Sequence, residues 1–318
     1  MHWRLLSRLF GLAAMLVGLS ACEPSGLGAD PTASPGPRHA APSEAAAVPA
    51  SAATVAARAY YARVERNYLS QELLRTDGGG ADTPFSAADL AENFLRIAFY
   101  EEYSERSGQL VAEAREIPLH RWTGPVRLNV EFGASVPLDQ RARDRAEVAG
   151  YAARLSALTG LPMRMSTFRP NHTVLILNAE ERAAAARRLA ELLPDASEAA
   201  LRSVTAMAPE TYCTVFAVNP DGNAAYSKAV TVIRGELPDR LRQLCVHEEL
   251  AQSLGLVNDS PRARPSIFND NEEFALLTRQ DELMLKMLYD PRLRPGMTLL
   301  EARPIVARMA AELMGGES

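Results

Sequence analysis

The sequence predicts an α+β fold: a mixed, twisted sheet with one long helix packed across it and further helices on either side in the chain. Three observations carry this. WTGPVRLNVEFG (122–133) places Val126, Leu128, Val130 and Phe132 on alternate positions, the pattern of a half-buried strand. HTVLILNA (172–179) is a short, strongly apolar run of the kind a buried strand carries. Around these runs the apolar residues fall at helical spacing instead.

Taken in order, VAARAYYARVERNYLSQELLR (55–75) has helical spacing and no breaker, and TDGGGADTP then interrupts it. Ser86 is placed to cap a second helix, expected over AADLAENFLRIAFYEEY (87–103). The tyrosines and phenylalanines there are expected to pack between helices. After the 122–133 strand, DQRARDRAEVAGYAARLSALTG (139–160) is an amphipathic helix stopped by Gly160. ERAAAARRLAELLP (181–194) is an alanine-rich helix, expected as a surface insertion. TYCTVFAVN (211–219) and AYSKAVTVIRG (225–235) are two strands joined by the turn PDGN. ELPDRLRQLCVHEELAQSLGL (236–256) is one helix, opened by Leu237 and Pro238 and ended by Gly255. DELMLKMLYD (281–290) and TLLEARPIVARMAAEL (298–313) complete the set, with Pro304 in a first turn or at a kink.

The N-terminus speaks to compartment. Arg4 and Arg8 precede an apolar run (9–19) too short for a comfortable membrane span, and Leu19-Ser20-Ala21-Cys22 follows. That order resembles the bacterial lipobox, which implies cleavage before Cys22 and lipidation of that cysteine. Glu23, rather than Asp, at the next position resembles the outer-membrane sorting pattern. The expected localisation is therefore the bacterial cell envelope, lipid-anchored, facing the periplasm, at the outer membrane. The formal net charge is −5, and loss of Arg4 and Arg8 leaves the mature chain two charges more negative. No general attraction to nucleic acid follows from such a balance. Cys213 and Cys245 remain, and in an oxidising envelope they most simply form one disulfide.

The domain organisation read from composition is a signal peptide (1–21), a lipid-anchored Pro/Ala/Ser-rich linker (22–53), an N-terminal helical region (54–118) and a main domain (119–318). The linker has almost no large apolar residue and cannot offset its ordering entropy by burial.

The chemistry sits in CVHEELAQSLGLVND (245–259). His247-Glu248 resembles the start of the zinc-protease motif H-E-x-x-H, whose two imidazoles share one helical face. Ala251 stands at the second histidine, so this register is dead. Anchored instead on Leu254-Gly255-Leu256, the string resembles the metzincin motif H-E-x-x-H-x-x-G-x-x-H. The three histidine positions then hold Glu248, Gln252 and Asn258, and the catalytic glutamate position holds Glu249. Downstream, Ser266-Ile267-Phe268-Asn269-Asp270 matches the methionine turn, with Phe268 at the methionine position. LTRQDELMLKMLYD (277–290) resembles the C-terminal helix of matrix-type members. The resemblance implies a zincin-like fold.

The wider pattern resembles the envelope proteins of the domain-of-unknown-function family numbered 2927. Cys245, the 248–259 string, the 266–270 turn and Leu288-Tyr289-Asp290-Pro291-Arg292-Leu293 with Pro295-Gly296-Met297 carry that likeness.

Zinc takes nitrogen and sulfur ligands first, so a set of one carboxylate and two neutral oxygens disfavours it. No cofactor is expected. If a metal binds, a harder ion such as calcium suits the oxygens better, with Asp259 or Asp270 as further ligands. His120, His172 and His247 are scattered and offer no zinc site of their own. The expectation is a pseudo-metalloprotease: a membrane-tethered, non-catalytic module that binds a periplasmic polypeptide or a cell-wall component. The alternative is a peptidase-like hydrolase with Glu249 as general base.

Overall fold

The computed structural model describes residues 47–106, 109–218 and 221–315; Cys22, the expected lipidation residue, lies outside them. Helix α1 (Ala52–Ser70) starts where the Ser51 hydroxyl accepts the Thr54 N–H, and α2 (Ala87–Ala98) opens with a reciprocal capping box between Ser86 and Asp89. The expected extension of the second helix to Tyr103 does not occur. The helix stops at Ala98, and β1 (Tyr100–Arg106) pairs antiparallel with β2 (Gln109–Glu116). Ladder bonds to a partner some ten residues on replace the helical ones, and local spacing carries no trace of that partner. The 54–118 stretch thus holds two helices and a hairpin, within the same compact unit as the chain that follows (Ala45–Ser318).

The body begins with β3 (Arg121–Trp122), β4 (Val126–Phe132), α3 (Leu138–Thr159), β5 (Met163–Met165) and β6 (His172–Leu177). Three short helices follow, α4 (Ala179–Ala183), α5 (Ala186–Leu192) and α6 (Glu198–Thr205). Then come β7 (Cys213–Val218), β8 (Ala225–Tyr226), β9 (Lys228–Arg234), α7 (Asp239–Gln252), α8 (Arg279–Leu288) and α9 (Leu299–Leu313). The main sheet has the order β5-β4-β6-β9-β7. The first four of these strands run parallel, and β7 is antiparallel to β9. It is a mixed sheet in an α+β protein.

Strand β4 alternates buried and half-buried positions, as its sequence pattern predicts. Every residue of β6 is buried, because it lies between β4 and β9 with both sheet faces covered. The second cover comes from the alanine-rich segment. It is not a single surface helix but breaks after Ala183. Leu189 and Leu193, with Val204 and Met207 beyond them, form a core with Leu175, Leu177, Val230 and Val232. One sheet face needs that cover, which is the physical reason a seemingly spare insertion is buried. The other face carries the main core, joined by α2, α3, α7, α8 and α9. Pro304 lies inside α9 rather than in its first turn. No helix among the described residues is long and apolar enough to cross a membrane.

Two constraints place α7. Cys213 of β7 and Cys245 of α7 form a disulfide, with Cα atoms 5.8 Å apart. Beyond its last turn, Gly255 has φ +125°, and a Cβ there would stand 2.2 Å from the His120 carbonyl oxygen. Only glycine lets the chain pass that backbone.

The disulfide closes a loop 32 residues long in sequence. Replacing both cysteines by serine is expected to lower unfolding free energy by about 2–4 kcal/mol, measured by urea denaturation. In denatured, unreduced protein neither Cys213 nor Cys245 should react as a thiol.

Candidate functional site

Successive residues on α7 point to different surroundings, since each step turns about 100°. His247 faces α3. Its ring stacks on Tyr151 at 3.9 Å between centroids and 14° between planes. Its Nδ1 accepts the Leu277 N–H at 3.0 Å, so the neutral ring carries its proton on Nε2, which lies 3.3 Å from Glu147 Oε1. Burial lowers its pKa, against the pull of Glu147. His247 is a packing residue. His172 is fully buried in β6, with Nε2 3.0 Å from Thr231 Oγ1, and burial lowers its pKa to about 4. His120 bonds the Pro118 carbonyl through Nδ1 at 2.7 Å and stacks on Tyr226.

Glu248 and Glu249 turn away from that packing. Glu249 is only 4 % exposed, and its Oε2 has no hydrogen-bond partner among the described residues. Asp259 follows the turn after Gly255, and its Oδ1 is likewise buried without a partner. Burial raises the pKa of Glu249 well above the ordinary carboxyl value, and the charges of Asp259 and Glu102 add to the rise. The half-buried Glu248 is raised by burial, then by Asp259, Glu249, Glu102 and Asp270; Asp259 is raised by burial, then by Glu102 and Asp270. Burial and neighbouring acidic side chains thus push Glu248, Glu249 and Asp259 towards their protonated forms.

Glu102 is the member that sequence reasoning missed. It lies on β1, in a segment whose spacing reads as helix. The β1–β2 pairing slips between Glu101 and Tyr103, the step that contains Glu102. Irregular pairing of this kind re-aims a side chain.

The other motif positions are built into the fold. Asn258 donates its side-chain amide to the Arg96 carbonyl and its backbone N–H to the Ile97 carbonyl, each at 3.1 Å. It thereby serves the open carbonyl end of α2. Gln252 is buried at the end of α7. Phe268, at the methionine-turn position, is fully buried in the main core. Asp281 shapes its turn, accepting from Ser266 Oγ at 2.5 Å, Ile267 N at 3.1 Å, Thr278 N at 2.9 Å and Thr278 Oγ1 at 2.8 Å. Burial outweighs these bonds and pushes Asp281 up to about 6. Beside the turn, Asp270 (φ 64°) and Glu272 (φ 53°) are left-handed, as are Glu72 (φ 60°) and Leu74 (φ 58°). Leu74 N donates to the Glu272 carbonyl at 2.8 Å, so the two strained segments hold each other.

Among the described residues no group of three or more His, Cys, Asp or Glu side chains is arranged to hold a metal ion. The residues at the motif's ligand positions also lack imidazole and thiolate, and the Asn258 amide is engaged by α2. This donor set does not fit zinc.

The molecule is thus an α+β protein in which one helix, disulfide-linked to an edge strand, carries the buried carboxyl of Glu249. The chain belongs to the family described as protein of unknown function (DUF2927), whose pattern matches residues 87–308. No curated protein and no solved structure matches it.

The cluster has a stability signature. The folded-state pKa of Glu249 lies above its unfolded value of about 4.5. Its contribution to stability is therefore full below pH 4.5 and is lost as pH rises through the folded pKa. Glu249→Gln is expected to be about 1–3 kcal/mol more stable than wild type at pH 8, with the gap closing towards pH 4.5. Thermal unfolding across that range measures it.

Proposed function

We propose that the chain is a lipid-anchored envelope protein whose zincin-like domain is a non-catalytic binding module, taking a polypeptide or cell-wall component in the former protease cleft. The observation that carries this reading is the fate of the ligand positions. Glu248 belongs to a proton-holding carboxyl cluster, and Asn258 caps a helix. The layout supports the zincin likeness. Strand and helix order suits it, Gly255 follows the end of α7 at the place of the motif's glycine, and a turn centred on Phe268 packs into the same core. A polypeptide ligand is supported by β7. It ends the main sheet, pairs only with β9 among the described residues, and is half-exposed along most of its length. Such an edge accepts an extended chain by strand addition. The negative net charge argues against nucleic acid. The leader and Cys22 support the tether.

One observation favours a second reading. Glu249 is buried, carries an unpartnered oxygen, and has a pKa moved towards neutrality, which are properties of an acid–base group. In a metal-free hydrolase its ionised form, reached once the pH passes its raised pKa, would take the proton of an attacking water. Elemental analysis separates the readings together with an activity screen. Purified protein is expected to hold no stoichiometric zinc. Neither wild type nor Glu249→Gln should cleave a peptide or peptidoglycan library at high protein concentration with several metals supplied. Stoichiometric zinc, or cleavage by wild type that Glu249→Gln loses, contradicts the binding reading.

A further inference from the structure

We propose that the rim of the main sheet carrying Phe168, Arg127, Arg164 and Arg169 lies against the bilayer to which the chain is tethered. Phe168 enters the headgroup region, and the arginines meet the phosphates of anionic lipids. This rests on the lipid-anchor part of the reading above and names the surface by which the folded domain meets the membrane.

The first support is charge. Met163 and Met165 pair with Val126 and Leu128 on the main-core face, so Arg164 and its partner Arg127 stand side by side on the other face of the sheet. Like charges on adjacent strands repel, and an anion between them relieves that repulsion. The segments that cover this face pack on β6 and β9. Neither 121–130 nor 158–178 holds an Asp or Glu, although the chain as a whole carries a net charge of −5. Arg164 and Arg169 are exposed, and neither is in an ion pair among the described residues. On the helices, by contrast, Arg143, Arg187 and Arg202 each pair with an acid one turn away.

The second support is the ring. Phe168 is 77 % exposed, and the turn that presents it is tied down. Ser166 Oγ accepts the Phe168 N–H at 3.2 Å and donates to the Phe168 carbonyl at 3.0 Å. Arg127 Nε donates to the Arg169 carbonyl at 2.7 Å. The Asn171 side chain accepts the Arg127 N–H at 2.6 Å and donates to the Pro125 carbonyl at 3.0 Å. Arg169 takes a left-handed backbone (φ 46°), a strained choice for an arginine. A lone exposed apolar residue is ordinary. A strained, hydrogen-bonded turn that holds an aromatic ring out among cations pairs the two attractions by which a segment binds the interface of an anionic bilayer. The third support is reach. The chain from Cys22 to Val48 spans at most about 90 Å, so an anchor at Cys22 lets this rim meet the surface.

The test uses the mature lipidated chain carrying Phe168→Trp or, for comparison, Leu300→Trp. Leu300 is 83 % exposed on α9, on the main-core side of the sheet. Each is reconstituted in vesicles of phosphatidylcholine alone or with an equal part of phosphatidylglycerol, with brominated acyl chains as the quencher. In the anionic vesicles the tryptophan at 168 is expected to shift to the blue and to be quenched, beyond the signal of the unsubstituted chain, while that at 300 is not. Adding Arg164→Gln and Arg169→Asn, the latter a residue that accepts a left-handed backbone, should lower the docked-to-free ratio about fivefold for each cation removed. High salt should act in the same direction, and that arm needs no further substitution. Equal quenching at 168 and 300, or quenching at 168 that neutral lipid and high salt leave unchanged, overturns the inference and leaves the tether standing. A chain that floats with neither kind of vesicle has no lipid anchor, and the inference falls with the tether.

Discussion

A carboxyl group is buried on α7 with one oxygen that meets no donor, and the surroundings of Glu249 are best understood as what holds it there. A buried carboxyl with an unpaired oxygen is unfavourable, and the helix would relieve it by rotating or shifting a fraction of a turn. Three contacts prevent that. The disulfide to β7 fixes the helix one turn before Glu249. The close passage of Gly255 under the His120 carbonyl fixes the end behind it. On the opposite face, the His247 ring is stacked on Tyr151 and bonded to the Leu277 amide. The histidine that looks like a zinc ligand is thus one of the groups that aims the glutamate beside it.

The segments around the helix bring further acidic residues near it. Asn258 and Val257 tie the turn to the carbonyl of Ile97 at the end of α2, which sets Asp259 at the site. Asp281 builds the turn that ends at Asp270, and facing left-handed residues brace that turn from outside. Immediately after α2 the chain enters β1, so the same helix end also delivers Glu102. Acidic residues on four segments thus contribute to the raised carboxyl pKa values on α7 and at Asp259.

Much of this was legible in the sequence. The alternation in β4, the apolar run of β6, the span of α7 and its glycine stop, and the Cys213–Cys245 bridge all rest on local or countable signals. What escaped reading depends on partners distant in the chain. Residues 100–103 carry helical spacing, and only pairing with β2 makes them a strand. The alanine-rich stretch looks superfluous until the second face of the sheet needs covering. Asn258 reads as an oxygen donor to a metal, but its amide caps a helix some 160 residues earlier in the sequence. Glu102 had no motif to announce it, because its role comes from a slip in strand pairing rather than from its neighbours.

The most direct measurement follows the carboxyl itself. In protein carrying ¹³C-labelled glutamate side chains, the Glu249 resonance is assigned by its disappearance in Glu249→Gln and followed against pH by NMR. The account predicts a titration midpoint well above the ordinary glutamate value of about 4.5, so that the group is still protonated where exposed glutamates are ionised. A midpoint at or below 4.5 would mean that Glu249 is solvated or paired, and would contradict the buried acid cluster.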